Sequence, residues 1–144
     1  KLAAVALGVS VQYLDVLSSN DFETAFQAAV KARANAILWV VSGSVGSGYQ
    51  ARIAELAVKS RLPTIYDSQR YVSAGGLMSY GVNLADLHRR AATYVDKILK
   101  GAKASDLPVE QPTKFEFVIN LKAGKQIDLT IPPNVLARAD RVIK

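Results

Sequence analysis

Short apolar runs and stretches with helical spacing follow one another along this chain. Ala36–Val41 is apolar at every position, and Val9–Val16 and Thr64–Asp67 are two further short runs that favour strands. Residues 20–34 and 49–61 carry apolar side chains three and four positions apart, which predicts helices with one buried face. A fully apolar run is typical of a strand covered on both faces. The pattern therefore predicts an α/β fold: a doubly wound, mostly parallel sheet with helices on both faces.

The stretch Gly75–Asp86 combines a turn, a strand and the start of a helix. Its Gly-Gly pair predicts the turn, and the apolar and aromatic residues 77–80 predict a short strand. Asn83 and Asp86 have the spacing of a capping box at the start of a helix, and Asn20 and Glu23 have the same spacing. Because a strand ends here and a helix begins, we expect polar groups where open α/β sheets bind ligands.

The segments around and after this stretch are also assigned from pattern. A helix tail is predicted at the start of the chain, ended by Gly8, and a polar loop over 68–74. A helix over 84–100 follows, then a polar loop with two prolines, a strand over 114–120 and a short helix. A proline pair at 132–133 predicts the first turn of a final helical segment.

Composition limits the possible classes of protein. The chain has 144 residues, half of them apolar and about a fifth charged, which is typical of a single globular domain with a real core. Cysteine is absent, which excludes disulfides and thiolate chemistry. No apolar run approaches the length of a membrane span, and no signal peptide is present. Because the chain begins at Lys1 without a methionine, we expect it to be processed or part of a longer protein.

Charge and motifs argue against nucleic-acid binding and catalysis. The formal charge is +6, but the basic residues are scattered, and Arg89-Arg90 is their only adjacent pair. His88 is the single histidine and has neither a metal-ligand cluster nor a nucleophile motif beside it. Glycines at 43, 46 and 48 match neither a dinucleotide fingerprint nor a phosphate-binding loop. We therefore predict a protein that is not an enzyme and has no cofactor, no metal and no nucleic-acid partner.

Six residues at predicted strand ends are candidates for ligand contact: Ser42, Ser44, Asp67, Ser68, Ser79 and Tyr80. The Gly-Ser loop that holds the first two presents backbone N–H groups suited to an anion, with an ordinary surface loop as the alternative. Asp67 suits a ligand ammonium or hydroxyl, and a turn-forming aspartate is the alternative. Tyr80 suits stacking on a ring or donating its hydroxyl, although a core tyrosine is the other interpretation. Tyr71 is a further candidate at the rim, whereas Trp39 and Tyr66 are assigned to the core.

Several motifs together resemble one known family. They are Gly-Gly-Leu-Met-Ser-Tyr-Gly at 75–81, Asn-Leu-Ala-Asp at 83–86, Ile-Leu-Lys-Gly-Ala-Lys at 98–103, Leu-Pro-Val-Glu-Gln-Pro-Thr-Lys-Phe-Glu at 107–116, Val-Ile-Asn-Leu-Lys at 118–122, Leu-Thr-Ile-Pro-Pro at 129–133 and Leu-Ala-Arg-Ala-Asp at 136–140. The chain resembles the C-terminal half of ABC-transporter substrate-binding proteins of the tryptophan/tyrosine-uptake-like family. The resemblance covers essentially the whole chain and is most specific from Gly75 to Asp140.

The resemblance implies a two-lobed, type I periplasmic-binding-protein fold. A small organic ligand, such as an aromatic amino acid, would lie between the lobes, and closure would present it to the membrane permease of an ABC importer. The family plan assigns residues 1–82 to an incomplete second lobe, 83–112 to a crossover helix and loop of the first lobe, and 113–144 to a return strand and helical tail. It also implies a periplasmic or extracytoplasmic location.

Compared with that plan, the chain lacks the first lobe and the central strand that opens the second lobe. The missing strand would lie between the segments 9–16 and 36–41, where unpaired backbone groups cost about 1–3 kcal/mol each if buried. The apolar stripe of helix 84–100 would also lack its cover. We therefore predict either a missing N-terminal lobe or companion segment, or strand exchange with a second copy of the chain.

Two other classes of function stay open from the sequence alone. The same lobe suits a ligand-sensing, effector-binding module of a signalling or regulatory protein, which an upstream signalling or DNA-binding domain would indicate. A small α/β enzyme is the third alternative, but no constellation of residues supports it.

Overall fold

The computed structural model describes residues 2–40 and 45–144. In chain order the elements are α1 (Leu2–Ala6), α2 (Asp21–Lys31), β1 (Ile37–Trp39), α3 (Gln50–Lys59), β2 (Thr64–Tyr66), α4 (Gln69–Ser73), β3 (Met78–Val82), α5 (Leu84–Leu99), a 3-10 turn (Ala104–Asp106), β4 (Phe115–Asn120), α6 (Leu121–Gln126), α7 (Pro133–Leu136) and β5 (Arg141–Ile143).

The strands form one five-stranded sheet in the order β1-β2-β3-β4-β5. All neighbouring pairs are parallel except β3 and β4, which are antiparallel. Trp39 lies opposite Tyr66, Tyr66 opposite Ser79, and Ser79 opposite Val118. Because side chains alternate along a strand, these four residues point to one face of the sheet. The predicted α/β class with a mostly parallel sheet is confirmed.

Helices α2, α3 and α4 cover this face and form an aromatic core with it. The buried residues of this cluster are Phe22, Phe26, Trp39, Ile53, Ala57, Tyr66 and Tyr71. Phe26 stacks on Trp39 at 5.9 Å between ring centroids, and Tyr66 stacks on Tyr71 at 4.8 Å. Trp39 and Tyr66 are thus core residues, as predicted, and they tie the helical layer to β1 and β2.

The C-terminal helices cover the opposite face over β3 and β4. The buried residues there are Leu77, Ile119, Ala123 and Ile131. Asn120 caps α6, because its side-chain oxygen accepts hydrogen bonds from the N–H groups of Lys122 and Ala123. The sheet therefore has helices on both faces, as the apolar pattern predicted.

The strand predicted over 9–16 is wrong. These residues have no strand pairing, and nearly all their side chains are exposed. A strand forms only where a neighbour pairs with its backbone groups, and no neighbouring strand lies beside this segment in the described part of the chain. The same lack leaves β1 as the edge strand of the sheet. Leu38 is 72% exposed because it points to the face opposite Trp39, where no described element covers β1, contrary to the prediction that this run is covered on both faces.

Two segments differ from the predicted elements. Residues 69–73, within the predicted polar loop, form α4, because the Ser68 side chain accepts from the Arg70 N–H and caps a helical turn. The strand predicted over 77–80 begins at Met78 and extends to Val82, so Gly81 lies within β3. A Cβ at Gly81 would lie 1.9 Å from the Asp67 carbonyl oxygen, so only glycine allows the end of β2 to approach β3 this closely.

The two predicted capping boxes have different outcomes. The Asn83 side chain accepts from the Asp86 N–H, as predicted, but the Asp86 carboxylate pairs with Lys114 Nζ at 3.0 Å. Asn20 makes no side-chain cap. The Asp21 carboxylate instead accepts from the N–H groups of Ser18 and Leu17, which precede the helix, and the Ser18 bonds hold the Asp21 pKa below its usual range.

Helix α5 leaves the sheet at the end of β3. The segment that leads into α5 lies beside the segment that returns to β4, since the Asn83 N–H donates to the Lys114 carbonyl at 3.0 Å. The following loop packs along the helix, with Tyr94 donating to the Pro108 carbonyl and Arg90 pairing with Glu110.

No residue of α5 is buried. The apolar residues Val95, Ile98 and Leu99 are exposed, so the expected uncovered stripe is present in this structure. None of the described helices combines the length and the apolar character that crossing a membrane requires.

Replacing Asn120 by Ala should lower the free energy of unfolding by about 1–2 kcal/mol, because two N–H groups at the start of α6 lose their acceptor. Asn20→Ala is the matched control, since Asn20 makes no side-chain cap and should change stability by less than about 0.5 kcal/mol. Urea unfolding followed by circular dichroism measures both variants. Equal losses in the two variants would contradict this assignment of the caps.

Thr64 and Ser79 form a second matched pair, because both are 1% exposed on neighbouring strands. The Thr64 hydroxyl donates to the Leu62 carbonyl, so Thr64→Val should lower the free energy of unfolding by about 1 kcal/mol. The Ser79 Oγ has no partner within the described residues, so Ser79→Ala should leave stability unchanged or raise it by about 1 kcal/mol. Thermal unfolding measures the two effects, and a clear loss in Ser79→Ala would refute the second expectation.

Candidate functional site

The carboxyl ends of β1, β2 and β3 lie along one edge of the sheet, because these strands are parallel. β1 leads into residues 40–49, β2 into Asp67, and β3 into Asn83. Open α/β sheets bind ligands at this edge, since loops there present polar groups without interrupting the strands. Most of the candidate residues lie at or just after these strand ends.

Asp67 is exposed at the end of β2. Partial burial raises the pKa of its carboxyl, although a hydrogen bond from its own backbone N–H opposes that rise. Within the described residues Asp67 takes part in no ion pair, unlike the carboxylates of Asp86, Asp96, Glu110 and Asp128. A carboxylate that is partly desolvated and lacks a cation is suited to an ammonium or hydroxyl supplied by a ligand.

Ser68 follows Asp67 and is half-buried. Its side-chain oxygen accepts from the Arg70 N–H at 3.4 Å at the start of α4. The hydroxyl hydrogen remains available as a donor beside Asp67, because capping uses only the oxygen. Ser42 and Ser44 lie outside the described residues.

Ser79 and Tyr80 are neighbours in β3 and therefore point to opposite faces of the sheet. Ser79 is enclosed beneath the helical layer, where its Oγ has no hydrogen-bond partner within the described residues. Tyr80 is 57% exposed and stacks on Phe115 at 5.5 Å between centroids, with the rings 13° apart. The structure therefore does not bring these two side chains together, and only Tyr80 has an accessible surface.

Tyr71 has a more central position than its sequence assignment to the rim. It is 7% exposed, and the nearby Asp67 carboxylate contributes to raising the pKa of its hydroxyl, although burial is the larger cause. The Trp39 indole N–H lies beside the same hydroxyl and opposes that rise, yet the two groups do not have hydrogen-bond geometry. The available sequence signal was Ser68 as an N-cap, because a helix starting there turns Tyr71 back onto the sheet.

Two shallow grooves lie on the helical surface away from these residues. One, of about 530 Å³, lies between α2 and α3, and the other, of about 540 Å³, lies between α3 and α4. Neither groove is lined by Asp67 or Tyr80. Both grooves therefore lie away from the polar edge of the sheet, the end at which β1, β2 and β3 lead into the segments that hold the candidate residues.

The described residues contain no group of three His, Cys, Asp or Glu side chains that suits a metal ion. His88 is exposed on α5, a helix with no buried residue.

Comparison with solved structures gives the same fold over nearly the whole chain. A conserved domain protein from Vibrio cholerae O1 biovar El Tor matches 98% of the chain with a TM-score of 0.85 and 27% identity. An ABC domain from Streptococcus pneumoniae in complex with L-Trp matches 99% with a TM-score of 0.85 and 28% identity. A ligand-free, open substrate-binding protein with adhesive properties from Clostridium difficile has a TM-score of 0.67 over 99% of the chain at 21% identity, which supports the fold alone.

The chain spans about half the length of these structures, covering 47%, 48% and 47% of them respectively. A search of curated proteins gave no significant match. The family profile described as ABC transporter substrate binding protein matches residues 1–143, essentially the entire chain. The chain therefore belongs to the ABC transporter substrate-binding protein family.

Proposed function

We propose that this chain forms most of one lobe of a solute-binding protein, which holds a small organic ligand against a second lobe and delivers it to the permease of an ABC importer. The observation that carries the proposal is the family match over residues 1–143. The exposed positions of Asp67 and Tyr80 support it, since residues that hold a ligand between two lobes are accessible when the second lobe is absent. The protein would work outside the cytoplasm and without catalysis.

The proposed ligand is a small zwitterion with an apolar or aromatic side chain, such as L-tryptophan. Asp67 would bind its ammonium group, because this carboxylate has no ion-pair partner among the described residues. The exposed Tyr80–Phe115 pair would contact the apolar side chain. The ligand-bound relative at 28% identity, which holds L-Trp, supports this class of ligand.

Ser68 would add a hydroxyl donor beside Asp67, and Ser42 and Ser44 belong to the proposed site by their place after β1. Ser79 would contribute through the backbone, because its side chain is enclosed on the other face of β3. The segment 83–112 would belong to the first lobe. That lobe would cover the α5 stripe, and its connecting chain would pair with the edge of β1.

The full-length protein with Asp67→Asn should bind L-tryptophan about tenfold to a hundredfold more weakly, because an ammonium loses its charged partner. Asp128→Asn is the matched control, since Asp128 is an exposed carboxylate that pairs with Arg61 away from the polar edge. Isothermal titration calorimetry measures both affinities. Unchanged affinity in Asp67→Asn would refute the assignment of Asp67.

The affinity should also fall on acidification. A ligand ammonium favours the ionised carboxylate, so binding is strong above the Asp67 pKa and weakens as the pH falls through it. Because partial burial raises that pKa, the weakening should begin at a higher pH than for an ordinary aspartate. Titrations from pH 7 to pH 4 measure the effect, and Asp67→Asn should remove this part of the pH dependence. A wild-type affinity that is constant over this range would contradict the proposed charge pair.

The α5 stripe gives a separate test of the two-lobe arrangement. In the 144-residue chain alone, exposed apolar side chains should promote association between copies, and Val95→Ser with Ile98→Ser should shift the mass toward the monomer. Asp96→Ser is the control, because Asp96 lies on the opposite, charged side of the helix. Light scattering coupled to size-exclusion chromatography measures the mass. A wild-type chain that is monomeric at high concentration would contradict the proposed role of the stripe.

A further inference from the structure

The hydroxyl of Tyr71 is held in a defined position behind the polar edge. Its ring lies flat on Tyr66, with centroids 4.8 Å apart and planes 5° apart. On the other side, a Cβ at Gly46 would lie 2.3 Å from the Tyr71 Oη and 3.9 Å from the Trp39 Nε1. The backbone at Gly46 therefore packs against the Tyr71 hydroxyl, with the Trp39 Nε1 close by, and a larger residue there would displace the phenol.

The Trp39 indole N–H is the second part of this arrangement. It is buried and has no hydrogen-bond partner within the described residues. Buried N–H groups without an acceptor are rare in native proteins, because the cost of desolvation is not recovered. The Tyr71 hydroxyl lies in its neighbourhood, since both atoms are within 4 Å of the position that a Cβ at Gly46 would take, yet the two groups form no hydrogen bond.

Asp67 completes the geometry from the solvent side. Its carboxylate lies near enough to Tyr71 to disfavour ionisation of the phenol, and burial acts in the same direction. Tyr71 therefore keeps its hydroxyl hydrogen at neutral pH and remains a hydrogen-bond donor. A donor next to a carboxylate matches a ligand that carries a carboxylate and an ammonium on one carbon.

We propose that Tyr71 is a ligand-binding residue whose hydroxyl donates to a carboxylate oxygen of the bound zwitterion, while the Trp39 N–H donates to the phenol oxygen in the bound state. Trp39 is then a positioning residue, and its N–H gains a partner on binding. Asp67 pairs with the ammonium of the same ligand. This inference rests on the proposed function and adds to it the recognition of the carboxylate end.

The test uses three probes with the full-length protein: L-tryptophan, tryptamine, which lacks the carboxylate, and indole-3-propionate, which lacks the ammonium. Tyr71→Phe keeps the stacked ring but removes the hydroxyl. This variant should bind L-tryptophan and indole-3-propionate about tenfold or more weakly than the wild type, and its affinity for tryptamine should be unchanged. Tyr66→Phe is the matched control, because the Tyr66 hydroxyl is buried and has no partner among the residues that the structure describes, so its removal should not change the affinity for any probe.

A second measurement follows the Trp39 N–H directly. Trp39 is the single tryptophan of the chain, so its indole N–H resonance in a ¹⁵N-labelled protein is identified by its loss in Trp39→Phe. Saturation with unlabelled L-tryptophan should shift this resonance and slow its exchange with solvent. Tyr71→Phe should abolish both changes, because the phenol oxygen is absent. Gly46→Ala should reduce them, since the added Cβ moves the phenol.

The outcomes separate this inference from the proposed function. Equal affinity of Tyr71→Phe and wild type for L-tryptophan, with an indole resonance that does not move, would overturn the role of Tyr71 and leave the proposed function intact. Failure of the wild type to bind any of the three probes would overturn the proposed ligand class and this inference together. If Tyr71→Phe loses affinity for L-tryptophan and indole-3-propionate but not for tryptamine, the result would support both the proposed function and the role of Tyr71.

Discussion

The parallel pairing of β1, β2 and β3 is the constraint on which the rest of the structure depends. In-register pairing aligns Trp39, Tyr66 and Ser79 on one face and brings the three carboxyl ends to one edge. The helical layer then packs on that aligned row, because its aromatic side chains contact Trp39 and Tyr66. The close approach of Gly81 to the Asp67 carbonyl completes the pairing and sets where Asp67 leaves the sheet.

Much of the fold follows from apolar spacing, and the failures have one physical origin. Ala36–Val41 and Val9–Val16 both have the apolar character of strands, but only the first finds a neighbour, β2, with which to pair. Strand formation depends on a partner that may be far along the chain, so composition alone does not determine it. Helices depend on local bonds, and helix α5 therefore lies close to its predicted bounds although no residue of it is buried.

The polar edge was less predictable than the sheet. The exposed position of Asp67 is predictable because it follows a strand, but the enclosed position of Ser79 depends on strand parity, since a shift of one residue moves a side chain to the other face. The burial of Tyr71 is not predictable from a polar loop, because only helix α4 turns its ring onto Tyr66. Local caps are only partly predictable from spacing: Asn83 caps its helix as expected, whereas Asn20 makes no side-chain cap and the Asp21 carboxylate binds N–H groups before the helix.

The pairing of the outgoing and returning chains at the end of β3 has a mechanical consequence. Val82 lies opposite Phe115, and the Asn83 N–H donates to the Lys114 carbonyl, so residues 83–113 are attached through a two-stranded ribbon. Such a ribbon bends easily perpendicular to its plane, but sliding or splaying within the plane would break its hydrogen bonds. Any rigid body carried by residues 83–113 would therefore move mainly by bending and twisting of this ribbon, and much less by sliding along it.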